Sequence, residues 1–290
     1  MTATRGQTGL FAYLVDDLRA DLAAGASRTL EVAPGGAAWL RRWALIAALI
    51  GATLLFFCGY QAGFERVNGL AAQTPPSVWQ WLTMLGDERV AFALALLFAR
   101  HHPRVLWALI LAALVASAYT HALKPLFAAP RPPAVLEPGS FNLIGPAHRK
   151  GSFPSGHTVT ASVFFGVWVY FLRRAGLRWL LVGLAVLAGL SRVALGVHWP
   201  VDVAAGMAGG VLSAWVGVLL ARRTPWGVLD PAVHLAFVTL AGFFAVALLI
   251  SDGGYPAAAP LQTALGTAAI ASAVVLYVVG PLIRWGRGAA

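Results

Sequence analysis

Residues 154–173 read PSGHTVTASVFFGVWVYFLR. A proline, serine, glycine and histidine run directly into an apolar stretch that ends at Arg173. Ser155 suits the N-cap of a helix. Gly156 lets backbone N–H groups approach a ligand closely, and a helix N-terminus favours an anion there. His157 then stands in the first turn, where it can protonate a leaving oxygen. A capping serine followed by an interfacial histidine accounts for the same residues without any chemistry.

The apolar run is one of eight. The others lie at roughly 39–60, 88–101 with some preceding residues, 104–123, 177–194, 201–221, 232–250 and 260–283. A membrane-crossing helix needs about 20 apolar residues. The second run is the weakest, because Asp87, Glu88 and Arg89 shorten it. The stretch 75–85, with Trp79 and Trp81, reads as an interfacial lead-in to it. Composition agrees: of 290 residues 59% are hydrophobic and only 11% charged, and the mean hydropathy is +0.74. Soluble domains carry about 25% charge, so the expected fold class is all-α, a polytopic transmembrane helix bundle.

A net charge of +10 could suggest nucleic acid. The basic residues instead cluster in short loops between apolar runs, the pattern of topology-setting charge beside anionic lipid. No nucleic-acid partner is expected. Arg41-Arg42, Arg100 with Arg104, Arg173-Arg174 with Arg178, Arg222-Arg223 and Arg284 with Arg287 fall on one side if all eight runs span. The positive-inside rule makes that side cytoplasmic, with both termini. Loops 61–87, 124–156, 195–201 and 251–259 are then external. Residues 1–38 read as a polar to mildly amphipathic tail, with Leu10, Phe11, Leu14, Leu18 and Leu22 at helical spacing. Asp16, Asp17, Asp21 and Glu31, without an early apolar core, argue against a cleavable signal peptide. Cys58 stands alone, which excludes a disulfide or thiolate metal cluster and leaves a small buried or lipid-facing residue.

Two further groups carry chemistry on the external side. Lys124 and Arg131 flank a proline-stiffened helix exit. Arginine offers phosphate a planar fork and lysine a point charge; snorkelling cations at the headgroup level would look the same. Ser191-Arg192 closes the fifth run, and His198-Trp199-Pro200-Val201-Asp202 opens the sixth. Asp202, four residues on, can reach back to one imidazole nitrogen of His198 and leave the other free to attack phosphorus. An aspartate at a helix start is also simply favoured by the helix dipole. His148-Arg149-Lys150 reads as a contact for a second phosphate or as solvated charge, and Glu137 as a possible headgroup contact.

Together the three groups resemble the signature of the type 2 phosphatidic acid phosphatase superfamily, K-x6-RP, PSGH and SR-x5-H-x3-D. Here six residues separate Lys124 from Arg131-Pro132, PSGH stands at 154–157, and Ser191-Arg192, His198 and Asp202 keep the third spacing. The resemblance covers about residues 80–222 and points to the integral-membrane bacterial lipid phosphatase branch. High hydrophobicity excludes the soluble haloperoxidases that share the signature. With the apolar runs, the expected organisation is a tail at 1–38, a six-helix membrane phosphatase core at 39–222, and two additional helices with a short tail at 223–290, the tail and the last two helices lying outside the resemblance. The resemblance implies His198 as nucleophile, Asp202 as its orienting acid and His157 as proton donor. Lys124, Arg131, Ser155, Gly156, Arg192 and, last in rank, Ser191 would hold the phosphoryl oxygens. No metal and no cofactor is implied.

The implied partner is a membrane lipid substrate in the bilayer of a bacterial inner membrane, cleaved at the periplasmic or external face. Undecaprenyl diphosphate, phosphatidylglycerol phosphate and phosphatidic acid are the expected substrate types, the first slightly preferred. Phosphotransfer to another lipid such as lipid A, through the same phosphohistidine, stays open. An anion or lipid transporter is a weaker alternative, because no matching cationic set lies across the membrane and no inverted repeat is evident. Oligomeric state is not legible.

Overall fold

The computed structural model describes residues 9–28 and 34–289. The tail residues 1–8 and 29–33, Glu31 among them, lie outside the described residues. The described chain is a bundle of helices, and it contains no strand among those residues. In order these are α1 (Leu10–Arg28), α2 (Gly36–Thr53), α3 (Phe64–Ala71), α4 (Pro76–Met84), α5 (Glu88–Leu96), α6 (Pro103–Phe127) and α7 (Pro132–Val135). They continue with α8 (Gly156–Phe171), α9 (Ala175–Ala194), α10 (Pro200–Arg223), α11 (Trp226–Leu229), α12 (Pro231–Ile250), α13 (Ala259–Val274) and α14 (Gly280–Ala289). A π-helical turn at Leu54–Cys58 extends α2.

All eight expected runs are helical, and six helical stretches are long and apolar enough to cross a membrane. The other two are shorter. Helix α5 spans nine residues because Asp87 caps it, its carboxylate accepting the Arg89 N–H at 2.8 Å. Helix α8 spans sixteen, about 24 Å at 1.5 Å per residue. Side chains such as Leu45, Leu49, Phe56, Phe57, Phe243 and Ile250 stand exposed on the outside of the bundle. Such an apolar girdle suits a hydrocarbon surround. Cys58 belongs to this outer surface.

Helix α10 is the axle, packed by α2, α6, α8 and α9. Its small residues let neighbouring backbones come close. A Cβ on Gly217 would lie 2.5 Å from the backbone nitrogen of Ala112 on α6, and one on Gly210 would lie 2.7 Å from the carbonyl oxygen of Val159 on α8. Helices α6 and α8 are thereby held against α10.

The basic loops gather at the other end. Arg104 Nε donates to Ala26 O at 2.9 Å, and Arg178 reaches Val169 O and Pro34 O. Arg100, only 3% exposed, pairs with Asp17 at 2.5 Å and Asp21 at 2.7 Å. Arg284 of α14 pairs with the same Asp17 at 2.6 Å. Burial alone would raise the Asp17 carboxyl, but the hydrogen bonds and charges of Arg284 and Arg100 together hold it below the ordinary carboxylate range. Helix α1 is thus a docked amphipathic helix, with Leu18 and Leu22 buried.

Replacing Gly217 by Leu should disrupt the α10–α6 contact, since backbone atoms cannot give way as a side chain can. Overpacking of this kind costs about 1–3 kcal/mol. Thermal unfolding of the purified protein in detergent should show a clearly lowered midpoint, whereas Gly242→Ala on α12, where nothing lies within 4 Å, should leave it unchanged.

Candidate active site

The three groups named from sequence meet at one end of the bundle. Arg192 sits in the last turn of α9, and its carbonyl oxygen accepts the backbone N–H groups of Val197 and His198 at 3.1 and 3.2 Å. The chain turns between them at Gly196, which has φ +77 and would press a Cβ to within 2.4 Å of Asn142 O. Only glycine fits that turn. Asn68, 2% exposed, fastens the same region: its Oδ1 accepts the Asn142 N–H, and its Nδ2 lies within 2.8–3.1 Å of the carbonyl oxygens of Asn142, Val193 and Ala194.

Asp202, completely buried, is the hub. Its Oδ2 accepts the Ser152 hydroxyl at 2.5 Å and the Trp199 backbone N–H at 2.9 Å, and lies 3.2 Å from His198 Nδ1. Its Oδ1 accepts the Tyr60 hydroxyl. An Nδ1–H donated to Asp202 leaves Nε2 of His198 without a proton, and Nε2 has no partner among the described residues. Burial pushes the His198 imidazole down to about 3; the Asp202 hydrogen bond opposes this and the Arg131 charge adds to it. His198 is therefore neutral at neutral pH, the state a nitrogen nucleophile needs. Burial and the Asp202 charge hold the Tyr60 phenol above its ordinary range, so it stays a donor.

The opening of α8 abuts this hub. Ser155 occupies the N-cap position, but its hydroxyl does not cap the helix; it accepts the Thr158 hydroxyl at 2.9 Å. The Ser155 N–H donates to the Asp202 carbonyl oxygen at 3.1 Å. The anion-facing donors of this turn are thus the backbone N–H groups of Gly156 and His157, which have no acceptor within the helix. The Lys124 ammonium lies 3.9 Å from where a Gly156 Cβ would be. Arg131 is fixed by backbone carbonyls: Nε donates to Lys150 O at 2.9 Å, Nη2 to Gly151 O and Nη1 to Val197 O. The 148–150 stretch therefore contributes carbonyl oxygens that aim Arg131, while the Arg149 and Lys150 side chains stand exposed.

A cleft of about 540 Å³ opens onto the site. Lys124, Gly156, His157 and Arg192 line its polar end together with His121, His148 and Tyr255. Its walls continue between α5, α6 and α8 over Ala95, Ala116, Ile110, Leu109, Leu106 and Phe164. Arg131, Ser155, His198 and Asp202 are not among its lining residues. Ser191 is elsewhere: its buried hydroxyl donates to Ala188 O at 2.6 Å, one turn back on its own helix. Glu137 is exposed and outside the cleft lining. Among the described residues no three His, Cys, Asp or Glu side chains form a group able to hold a metal. Tyr60, Ser152, Thr83 and Tyr255 were not legible as site residues, since isolated hydroxyls carry no spacing signal.

Residues 105–226 match the family model described as the PAP2 superfamily. The chain is 31% identical over 160 residues to an undecaprenyl-diphosphatase from Sulfolobus acidocaldarius, covering 54% of this chain and 74% of that protein. The chain belongs to the PAP2 superfamily. It is also 48% identical over 64 residues to the bacitracin transport permease protein BcrC of Bacillus licheniformis, a stretch that is 22% of this chain and 30% of that relative. Among solved structures it is similar to LpxE of Aquifex aeolicus, with a TM-score of 0.49 and 28% identity over 54% of this chain and 92% of that one. The superfamily segment contains every signature residue from Lys124 to Asp202, whereas Tyr60, Thr83 and Tyr255 lie outside it.

The depressed His198 affinity for protons has a stability consequence. Between pH 6.5, where a histidine of the unfolded chain titrates, and about 3, the unfolded chain binds a proton that the folded one does not. Stability therefore falls as pH drops through that window, by about 2 kcal/mol from this group at pH 5. Substituting His198→Asn keeps a donor for Asp202 and removes the titration. The fall in melting temperature between pH 7.5 and pH 5 should be smaller in that variant than in wild type.

Proposed function

We propose that the protein is a membrane lipid phosphatase that hydrolyses a lipid phosphate or diphosphate through a phosphohistidine intermediate at the external face. The observation that carries this reading is the His198 imidazole, anchored at Nδ1 to a saturated buried carboxylate and free at Nε2. The charges of Arg131 and Arg192 act on it, and Arg192 lines the polar end of the apolar cleft. His198 Nε2 attacks phosphorus, the bond from phosphorus to the lipid oxygen breaks, and its electron pair leaves with that oxygen. His157, lining the cleft, supplies the proton. Water then attacks the phosphohistidine with His157 taking its proton, and the phosphorus–nitrogen bond breaks to return His198. Asp202 offsets the positive charge on the phosphorylated imidazole. Lys124, Arg131, Arg192 and the N–H groups opening α8 neutralise the equatorial oxygens. Ser155 acts by seating that turn against Asp202, and Ser191 by anchoring the end of α9. No step passes through a metal.

The shape of the cleft supports the substrate class. Its lining runs along α6 from Lys124 to Leu106, eighteen residues or about 27 Å of helix. That length suits one long apolar chain entering sideways from the bilayer while its phosphate stays at the head. An undecaprenyl diphosphate fits this shape, and the name of the relative with the broad match points the same way. Segregation of the basic loops to the opposite end supports an external site in a bacterial inner membrane.

Purified protein in detergent, with metals chelated, should release phosphate from at least one of undecaprenyl diphosphate, phosphatidylglycerol phosphate and phosphatidic acid. His198→Ala should lower the rate by more than about a thousandfold, the scale on which removing one member of a nucleophile–orienter set acts. No release from any of these lipids by wild type would refute the phosphatase reading, and full activity in His198→Ala would remove the nucleophile assignment. For topology, a periplasm-dependent reporter fused after Gly139 should be active and one fused after Arg174 silent. The opposite pattern would place the site in the cytoplasm.

A further inference from the structure

We propose that the segment 251–258, between α12 and α13, is part of the phosphate site. Through Tyr255 it positions Arg192 and presents a phenolic proton to the bound phosphate. The proposal rests on the phosphatase reading above and assigns a role to helices that lie beyond the superfamily segment.

The Arg192 guanidinium is 2% exposed and held from one side only. Its Nη1 donates to Thr83 Oγ1 at 2.7 Å and to the Tyr255 hydroxyl at 2.9 Å, which uses both Nη1 protons. The Tyr255 ring centroid lies 5.9 Å from the guanidinium carbon. Nε is buried without a partner, and Nη2 has none among the described residues. The Nε and Nη2 edge is the fork that grips two oxygens of a phosphate side by side. A buried arginine with its outer edge bonded and its fork empty is arranged for an anion, because an unsatisfied buried guanidinium proton is costly.

Tyr255 is more than a packing residue. Its oxygen accepts from Arg192, so its own proton still needs an acceptor, and none lies among the described residues. The side chain lines the cleft beside Arg192, His157 and Lys124. A phosphoryl oxygen gripped by the Arg192 fork would stand next to that O–H and complete the set.

The segment is built to hold this position. Gly145, at φ +83, leaves room for the Tyr255 ring, since a Cβ there would lie 2.6 Å from Cε1. Arg89 Nη1 donates to Ser251 O at 2.8 Å and Trp81 Nε1 to Ala257 O at 2.8 Å, while Gln80 Oε1 accepts the Ala257 N–H at 2.9 Å. Helix α4 therefore supplies Thr83 and also ties down the segment that supplies Tyr255. Neither hydroxyl belongs to the family signature, yet both bear on its arginine.

The test uses full-length protein in detergent with a lipid phosphate. Wild type, Tyr255→Phe, Thr83→Val and the double variant are compared for kcat, KM, inhibition by orthovanadate and melting temperature. Tyr255→Phe keeps the ring in place and removes one acceptor of Arg192, so the melting temperature should fall by no more than about a few degrees. Its kcat should fall about tenfold, as for loss of a hydrogen bond to a charged group, with KM within about twofold. Orthovanadate, which imitates the five-coordinate phosphoryl group, should weaken by a similar factor, and the double variant should lose more. Wild-type kcat and orthovanadate inhibition in Tyr255→Phe would overturn the proposal while leaving the phosphatase reading intact. A loss of activity matched by a lower melting temperature, with orthovanadate unchanged, would overturn it too. Wild type inert towards every lipid phosphate would remove the reading and this inference together.

Discussion

A carboxylate with no exposed surface holds the site together. Burying an ionised carboxylate is tolerable only when its lone pairs are met. Asp202 meets that demand with four donors from three separate parts of the chain: Tyr60 after α2, Ser152 before α8, and His198 with the Trp199 backbone N–H at its own helix start. Each donor is a fixed point for the segment that bears it. The approach of α2, the entry into α8 and the turn after α9 are tied to one atom group, and the histidine tautomer is settled by the same bonds.

The rest of the bundle lets those points converge. Close contacts at Gly210 and Gly217 bring α8 and α6 against α10, and these three helices carry His157, Lys124 and Asp202. The two arginines of the candidate site are held by neutral groups rather than by carboxylates: Arg131 by three carbonyl oxygens, Arg192 by two hydroxyls. That choice leaves their positive charge without a paired carboxylate. At the opposite end the arginines pair with Asp17 and Asp21, and their charge serves cohesion instead.

Much of this was legible in the amino-acid order because charge is rare in so apolar a chain. Lys124, Arg131, His157, Arg192, His198 and Asp202 stand out by type and spacing, and the structure brings them to one end. Helix positions were legible from hydrophobic runs, although α5 and α8 are shorter than a full span, α5 through the Asp87 cap. Ser155 illustrates a limit: its place at the N-cap could be read, but not that its hydroxyl turns to Thr158. Tyr60, Thr83 and Tyr255 stayed hidden because a lone hydroxyl reveals its partner only once distant segments are packed. Tyr255 lies 63 residues from Arg192 along the chain.

The ion cluster around Arg100 joins the first described helix to the last. Asp17 is made first, Arg100 next, and Arg284 long after both. The shared carboxylate therefore acquires its second arginine only after the intervening helices have been made. A ribosome-bound or truncated chain would carry Asp17 with one partner fewer and α1 less firmly docked. The geometry ties firm seating of α1 to the arrival of α14, so a chain that stops short of Arg284 and one that includes it differ at the face away from the site.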